Sequence, residues 1–389
     1  MKKRILFAVI AAASAPAFAD TPNVNVYGNF DVSYDSIKTG TSTKGVTGTT
    51  SNRVSSNTSF LGVRGSVDAG DGLSAIWQVE SLIDIGDSAA NGTSTSVGYL
   101  GTRNTYAGLK SDSYGTVLAG RYDTPYRLST RRLDVFDRGI ADNRSILGGY
   151  PATKAFGTIP ATPGTAGASF DGRQDQVLAY ISPSLAGVTI AAAHVNLNPT
   201  VNVGGPYQGN ATSVAGWYDA NGFYGALAYE LHNLQNSANS TFLGSEHAAR
   251  IGLGYAQEGA FTVGFVAEKT SDNLGTGGVN LYGHNAYYIS GKVYVGSAGA
   301  IKAAVTRAGS IGGGNTANTG ARQYSLGYDY GLNKRTTLYA LYTRLKNESA
   351  AGYGLSIYNG TAASVGGPST ISGTGASPSA LAAGVLITF

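Results

Sequence analysis

Apolar and polar residues alternate with a period of two through most of the chain. Along 323–330, Tyr324, Leu326, Tyr328 and Tyr330 alternate with Gln323, Ser325, Gly327 and Asp329. Along 249–256, Ala249, Ile251, Leu253 and Tyr255 alternate with Arg250, Gly252, Gly254 and Ala256. The same rhythm sets Phe261, Val263, Phe265 and Ala267 apart from Thr262, Gly264, Val266 and Glu268, and Ala75, Trp77 and Val79 apart from Ile76, Gln78 and Glu80. Period two is the signature of a strand with two unlike faces. Sixteen such segments are centred near Phe30, Val63, Gln78, Tyr106, Ala119, Ala179, Ala192, Ala215, Ala228, Leu253, Phe265, Ile289, Ala303, Leu326, Tyr339 and Val385. Clusters of Gly, Asn, Asp, Ser and Thr separate them, residues that favour turns for backbone reasons. Short connections at 70–72, 112–115, 220–222 and 331–335 alternate with long ones at 37–57, 124–170, 232–246, 270–284 and 347–376. Tight turns at one end and long loops at the other predict an up-and-down barrel, one all-β domain of sixteen antiparallel strands.

The character of the two faces says what surrounds that barrel. One face is rich in Tyr, Phe, Leu and Val; the other carries Gln, Glu, Arg, Ser and small residues. A closed sheet satisfies every backbone donor and acceptor, as a bilayer demands. Its oily face then meets acyl chains and its polar face meets water. Sixteen strands enclose an aqueous lumen rather than a packed core. The last residues, "LAAGVLITF", keep the pattern: Leu381, Ala383, Val385, Ile387 and Phe389 share one face. The expected fold is a 16-stranded antiparallel transmembrane β-barrel in the outer membrane of a Gram-negative cell.

Composition narrows this further. Glycine numbers 56 of 389 residues and tyrosine 25, against one methionine, which suits strands and turns better than helices. There is no cysteine, so disulfides and thiolate metal sites are excluded. Lys2, Lys3 and Arg4, the apolar run 5–13 and Ala17-Phe18-Ala19 form an export signal over residues 1–19, too short in its apolar part to span a bilayer. The barrel then occupies 20–389, and removing the three cations lowers the formal charge from +4 to +1. No lysine-rich stripe is present to collect phosphates, so no nucleic-acid partner is expected. No cofactor or metal site is expected either, although acidic outer loops leave calcium open.

One stretch breaks the economy of charge. Only 13% of the chain is charged, yet "RLSTRRLDVFDRGIADNR" (127–144) holds five arginines and three aspartates, with neither lysine nor glutamate. Leu133, Phe136 and Ile140 recur within it at helical spacing. A short helix capped by Ser129 or Thr130, with Asp134 near its positive end, would lay that stripe against a wall.

The pieces "VNVYGNFDVSY" (24–34), "SFLGVRGSVDAGDGLSAIWQVES" (59–81), "RNTYAGLKSDSYGTVLAGRYDTPY" (103–126) and the final Phe389 occur in an order and spacing that resemble the general diffusion porins of the Gram-negative trimeric family, Neisserial and β-proteobacterial branch. The resemblance spans nearly all of 20–389. It implies a homotrimer with one pore per protomer, a third outer loop folded into the barrel, and outer-membrane lipid and lipopolysaccharide around it. Passive passage of small hydrophilic solutes and ions is the implied activity. The charge-rich run falls in the position of the inward loop. By the same resemblance Arg121 in "LAGRYDTP" and Arg173 in "FDGRQDQ" match wall arginines of a basic cluster. Many relatives carry another arginine where this chain has Phe60, which alters the cluster and leaves open whether Arg64 compensates.

The expected constriction thus comprises Arg64, Arg121, Arg127, Arg131, Arg132, Asp134, Asp137, Arg138 and Arg173. Arg121 shares the phase of Val117 and Ala119, so a bulge is needed there if those two face lipid. A narrow wet slot with low-dielectric walls focuses the field of fixed charges, and arginine holds its charge on a planar, stackable head. Arginines outnumber aspartates, which predicts a weak anion preference. Two other classes compete: a substrate-specific channel, whose aromatic slide the tyrosines would supply, and a barrel hydrolase. The latter needs a nucleophile beside a base, and His194, His232, His247 and His284 lie scattered with no HExxH or GxSxG.

Overall fold

The computed structural model describes residues 23–83, 85, 100–149, 170–196, 207–236, 242–275, 277–312, 317–355 and 373–389; the expected export signal lies outside them. In chain order the strands are β1 (Asn23–Lys38), β2 (Thr50–Ser56), β3 (Phe60–Gly70), β4 (Leu73–Leu82), β5 (Thr105–Ser111), β6 (Gly115–Asp123), β7 (Arg173–Ile181), β8 (Val188–Asn196), β9 (Tyr207–Ala220), β10 (Phe223–Asn236), β11 (Phe242–Gln257), β12 (Phe261–Asp272), β13 (Asn285–Val295), β14 (Gly299–Ala308), β15 (Ala321–Asn333), β16 (Thr336–Asn347) and β17 (Ser379–Thr388). From β3 onward each pairs antiparallel with its neighbours in sequence, and β2 and β3 both pair with β1. The ring closes where β1 pairs with β17, from Asn29 opposite Thr388 to Lys38 opposite Ser379. No helix among the described residues is long and apolar enough to cross a membrane, so the crossing is made by strands.

Seventeen segments make sixteen staves because β2 and β3 are two arms of one interrupted strand. β1 pairs with β3 along its first half and with β2 along its second. At the break Thr58 takes the left-handed conformation (φ 61°), Asn57 N–H donates to Asp31 O at 2.7 Å, and Ser59 Oγ accepts from Asp31 N–H at 2.9 Å. The interruption therefore satisfies the backbone of Asp31 that a regular ladder would have paired. All sixteen segments expected from the alternation lie within these staves. The long 37–57 connection is corrected: its second part, Thr50–Ser56, is strand. The 232–246 connection is likewise much shorter, because β10 and β11 extend into it.

Short turns join β3–β4, β5–β6, β7–β8, β9–β10, β11–β12, β13–β14 and β15–β16, all at one end, with Asn221 and Gly222 both left-handed in the β9–β10 turn. The oily phase of each strand is the outward one: Leu227 (64% exposed), Ile289 (60%) and Leu326 (58%) are open, while their alternates are covered. The other phase is buried by a segment that enters the bore. At the closing seam Gly28 and Phe389 exchange two backbone hydrogen bonds of 3.1 Å, and the Phe30 and Phe389 rings sit 5.6 Å apart.

A cation at mid-wall on the outward phase costs about 2–4 kcal/mol. Leu326→Arg is expected to lose that much stability in lipid vesicles, read as a lower urea midpoint; an unchanged midpoint would place Leu326 away from lipid.

Candidate functional site: a charged segment inside the bore

Between β6 and β7 the chain turns inward. A short helix, α1 (Pro125–Thr130), begins with Thr124, whose side chain accepts from Arg127 N–H, and with Pro at its first position. This corrects the expected cap at Ser129 or Thr130. Ser129 Oγ instead donates to Tyr126 O at 2.7 Å, and a single 3₁₀ turn follows at Arg131–Leu133. Leu133, Phe136 and Ile140 are buried together, as their stripe implied, but they lie in the turns beyond the helix. The "TP" dipeptide carried the signal, since a capping Thr before Pro marks a helix start.

The segment is bolted to inward-phase residues of the far wall. Tyr126 N–H donates to Ser213 Oγ (2.9 Å) and its hydroxyl to Glu268 (2.8 Å). Ser290 Oγ donates to Leu133 O (2.8 Å), and Tyr288 donates to Asp134 (2.6 Å). Close approach needs glycine in the wall. A Cβ at Gly254 would come within 2.6 Å of Leu133, and one at Gly327 within 2.9 Å of Phe136. Arg250 crosses beneath the segment. It pairs with Asp171 at 2.6 Å and with Glu268, donates to Thr130 Oγ1 at 3.0 Å, and lies over the Tyr126 ring at 4.2 Å.

Most charges of the run are engaged rather than free. Asp123 receives Arg127 at 3.0 Å, Arg173 at 3.0 Å and Arg131 at 3.8 Å; Arg127 and Arg173 are buried. Asp137 receives Arg131 and Arg138, both at 3.1 Å, and Arg144 at 3.6 Å. Arg144 also holds Asp142. Asp134 is buried and accepts from Phe136 N–H (2.8 Å) and Asn143 N–H (2.9 Å). Burial, reinforced by the charge of Asp142, pushes its carboxyl above the ordinary range. Burial alone would raise Asp171 too, but Arg250, Arg127 and Arg144 outweigh it and hold it low.

Among the expected constriction residues the open cations are Arg64, exposed on the inward phase of β3, Arg132, with half its side chain exposed and Asp219 as partner, and Arg138. Phe60 lies beside Arg138 and the buried Arg103. The Phe60 ring lies 4.4 Å from the Arg103 guanidinium and 6.0 Å from that of Arg138. Its neighbour Tyr27, 6.0 Å away, carries Arg64 over its own ring at 4.7 Å. Arg121 stands apart from all of these. It keeps the phase of the exposed Val117 and Ala119 and pairs with the exposed Asp175 at 2.6 Å. A bulge does occur opposite it, in β7, where Gln176 is left-handed and one extra residue enters the ladder; it leaves the phase of β6 unchanged.

Sequence reading overlooked Arg103, Asp123, Asp142, Asp171, Arg250 and Glu268. Their inward phase was legible for Arg250 and Glu268; their partners, distant in sequence, were not. Among the histidines, His232 sits between Glu246 (2.7 Å) and Glu230 (2.9 Å). His247 Nε2 lies 2.8 Å from Ser271 Oγ on the outward phase, but among the described residues no acid or amide orients its other ring nitrogen.

Known proteins match this chain over most of its length. The Gram-negative porin family covers residues 7–350 of the sequence. The chain belongs to that family. An outer membrane porin protein of Bordetella pertussis is 26% identical over 390 residues, covering 89% of this chain and 95% of its own. A major outer membrane protein P.IA of Neisseria meningitidis is 34% identical over 85 residues, 22% of this chain and 20% of its own. Among solved structures, the anion-selective porin of Comamonas acidovorans superposes with a TM-score of 0.68 at 20% identity, over 95% of this chain and 100% of its own. This porin therefore resides in the outer membrane of a Gram-negative cell.

Two outcomes test the buried network. Arg250→Leu takes from Glu268 its paired cation and leaves Asp171 with Arg144 at 3.8 Å, which costs about 3–5 kcal/mol; a lower unfolding midpoint and an enlarged, noisy conductance are expected, and unchanged traces would free the segment from Arg250. Asp134, raised on folding, contributes stability below the ordinary carboxylate range that is lost as pH rises through its folded value. Thermal midpoints of the parent protein should fall relative to Asp134→Asn over that rise; parallel profiles would remove Asp134 from the titration.

Proposed function

We propose that this porin is a general diffusion channel with a weak anion preference, working as a homotrimer with one pore per protomer. Small hydrophilic solutes and ions pass down their gradients through the space the segment leaves open. The observation that carries this reading is the set of cations open to the bore, Arg64, Arg132 and Arg138, which are less covered than Asp134 or Asp137. Arg132 is partly offset by Asp219, so the bias is weak rather than strong. The paired arginines Arg127, Arg131 and Arg173 act differently: they hold the segment in place and set the width of the slot. Arg121 supports the rim through Asp175.

Fixed positive heads along a narrow, low-dielectric passage lower the barrier for anions and raise it for cations. Phe60, standing where the family resemblance expects an arginine, removes one cation while its ring attracts the nearby Arg103 and Arg138 guanidiniums. The anion-selective title of the Comamonas porin is in keeping with this sign. Residues 1–19 are read as an export signal, giving a mature protein that begins at Asp20. Hydrolysis is disfavoured because, among the described residues, the Ser271–His247 pair lacks an orienting third group, and the tyrosines exposed on the outward phase, such as Tyr229, Tyr287, Tyr324 and Tyr342, are not placed to form a solute slide.

Planar-bilayer recording tests the whole. Three equal current steps per insertion and a reversal potential of anionic sign in a KCl gradient are expected, and Arg132→Ser/Arg138→Ser should move that potential toward zero. Clear cation selectivity in the parent protein would overturn the reading.

A further inference from the structure

The tip of the inward segment leaves a cavity of about 250 Å³ between itself and the wall formed by β1 and β14 to β17. Four carboxylates line it, and three of them are well supplied with partners. Asp137 receives Arg131, Arg138 and Arg144. Asp329 receives Lys302 at 2.8 Å and Lys292 at 3.4 Å. Asp134 accepts from the Tyr288 hydroxyl and from two backbone N–H groups. Asp31 differs. Its Oδ1 accepts from Tyr339 at 2.6 Å and from Asn57 Nδ2 at 3.3 Å, but among the described residues its Oδ2 has no donor and no cation lies in ion-pair range. Asn57 lines the same cavity and is only 2% exposed. Its Nδ2 also donates to the Tyr339 hydroxyl at 2.8 Å and to Ser33 Oγ at 2.9 Å. Those acceptors fix the orientation of the amide and leave its buried Oδ1 without a donor. A buried acceptor in that state costs free energy until a donor reaches it.

An ammonium group supplies what both atoms lack: a positive charge for Asp31 and several N–H donors on one nitrogen. The lining also holds one cation, Lys302. Its ammonium has three hydrogens and one acidic partner, Asp329, which keeps Lys292 when Lys302 turns elsewhere. A bare cation entering the cavity is repelled by Lys302, and a bare anion by Asp31; a molecule carrying both charges suits both. Ile140, Leu341 and Leu386 add an apolar part to the lining. We propose that this cavity binds a small zwitterionic α-amino acid with an apolar side chain. Its ammonium donates to Asp31 Oδ2 and Asn57 Oδ1, its carboxylate accepts from Lys302, and its side chain lies against Ile140, Leu341 and Leu386. The proposal rests on the channel reading only in that solutes must enter the bore. A site of this kind holds solute beside the passage without closing the channel to other solutes, and a ligand without net charge leaves the anion preference as it is.

Titration calorimetry on the full-length folded protein in detergent tests this with three probes of one shape: L-leucine, 3-methylbutylamine, which lacks the carboxylate, and 4-methylpentanoate, which lacks the amine. Saturable binding of L-leucine is expected, with each of the other two weaker by about ten-fold or more. Asp31→Asn should weaken L-leucine by a similar factor. Lys302→Met should weaken L-leucine while leaving 3-methylbutylamine bound at least as tightly as in the parent protein. Absence of saturable L-leucine binding overturns the proposal, as does equal binding of the three probes or an Asp31→Asn protein that holds L-leucine like the parent. Tightest binding of 4-methylpentanoate overturns it too, and assigns the contact to the open arginines. Should a variant fail to fold, the ranking of the three probes on the unsubstituted protein decides alone. The reversal potential of the same preparation separates the two readings: anionic sign without L-leucine binding sinks this inference and leaves the channel intact, whereas L-leucine binding with clear cation selectivity does the opposite.

Discussion

In hydrocarbon every peptide N–H and C=O must find its partner inside the protein, and the closing seam between β1 and β17 is what allows this chain to comply. Without it two full edges would stand open in lipid. The seam also explains details that look incidental. The break between β2 and β3 is tolerable because Asn57 and Ser59 bond the backbone of Asp31 in place of a ladder partner. The backbone exchange of Gly28 with Phe389 carries the ladder to the last residue.

Once the wall has taken care of its own backbone, side chains of the inward phase are free for other work. Here they hold a segment rich in ions inside the bore. Burying Arg127, Arg250, Asp123, Asp171 and Glu268 would be costly in a dry core. Each is instead surrounded by opposite charge and hydrogen bonds, and the bore supplies water nearby. The network is better understood as fixing one geometry than as adding stability. That distinction separates the arginines of the 127–144 run. Arg127, Arg131 and Arg144 fasten the segment, whereas Arg132 and Arg138 keep their heads open to the passage.

Phe60 puts an aromatic face among the cations of this wall. Its ring lies near two guanidinium groups, 4.4 Å from that of Arg103 and 6.0 Å from that of Arg138. The stack continues through Tyr27 to Arg64, so the cations on this wall are spaced by aromatic faces. Attraction to the ring quadrupoles offsets part of their mutual repulsion.

Periodicity alone determined the architecture, because a strand between lipid and water must alternate and each stave does so independently of its neighbours. The sixteen centres, the short connections and the outward belt followed from local pattern. The Thr50–Ser56 arm was not legible, because its Thr, Ser and Asn residues read as turn formers and only pairing with β1 makes them strand. Charge density singled out the 127–144 run, and its resemblance indicated the bore. Which arginines are buried and which are open was decided by partners far away in sequence, such as Arg250 and Asp171 for the helix and Asp175 for Arg121. Strand phase is a property of neighbours in sequence, whereas an ion pair across the bore exists only once the ring has closed and brought the far wall within reach.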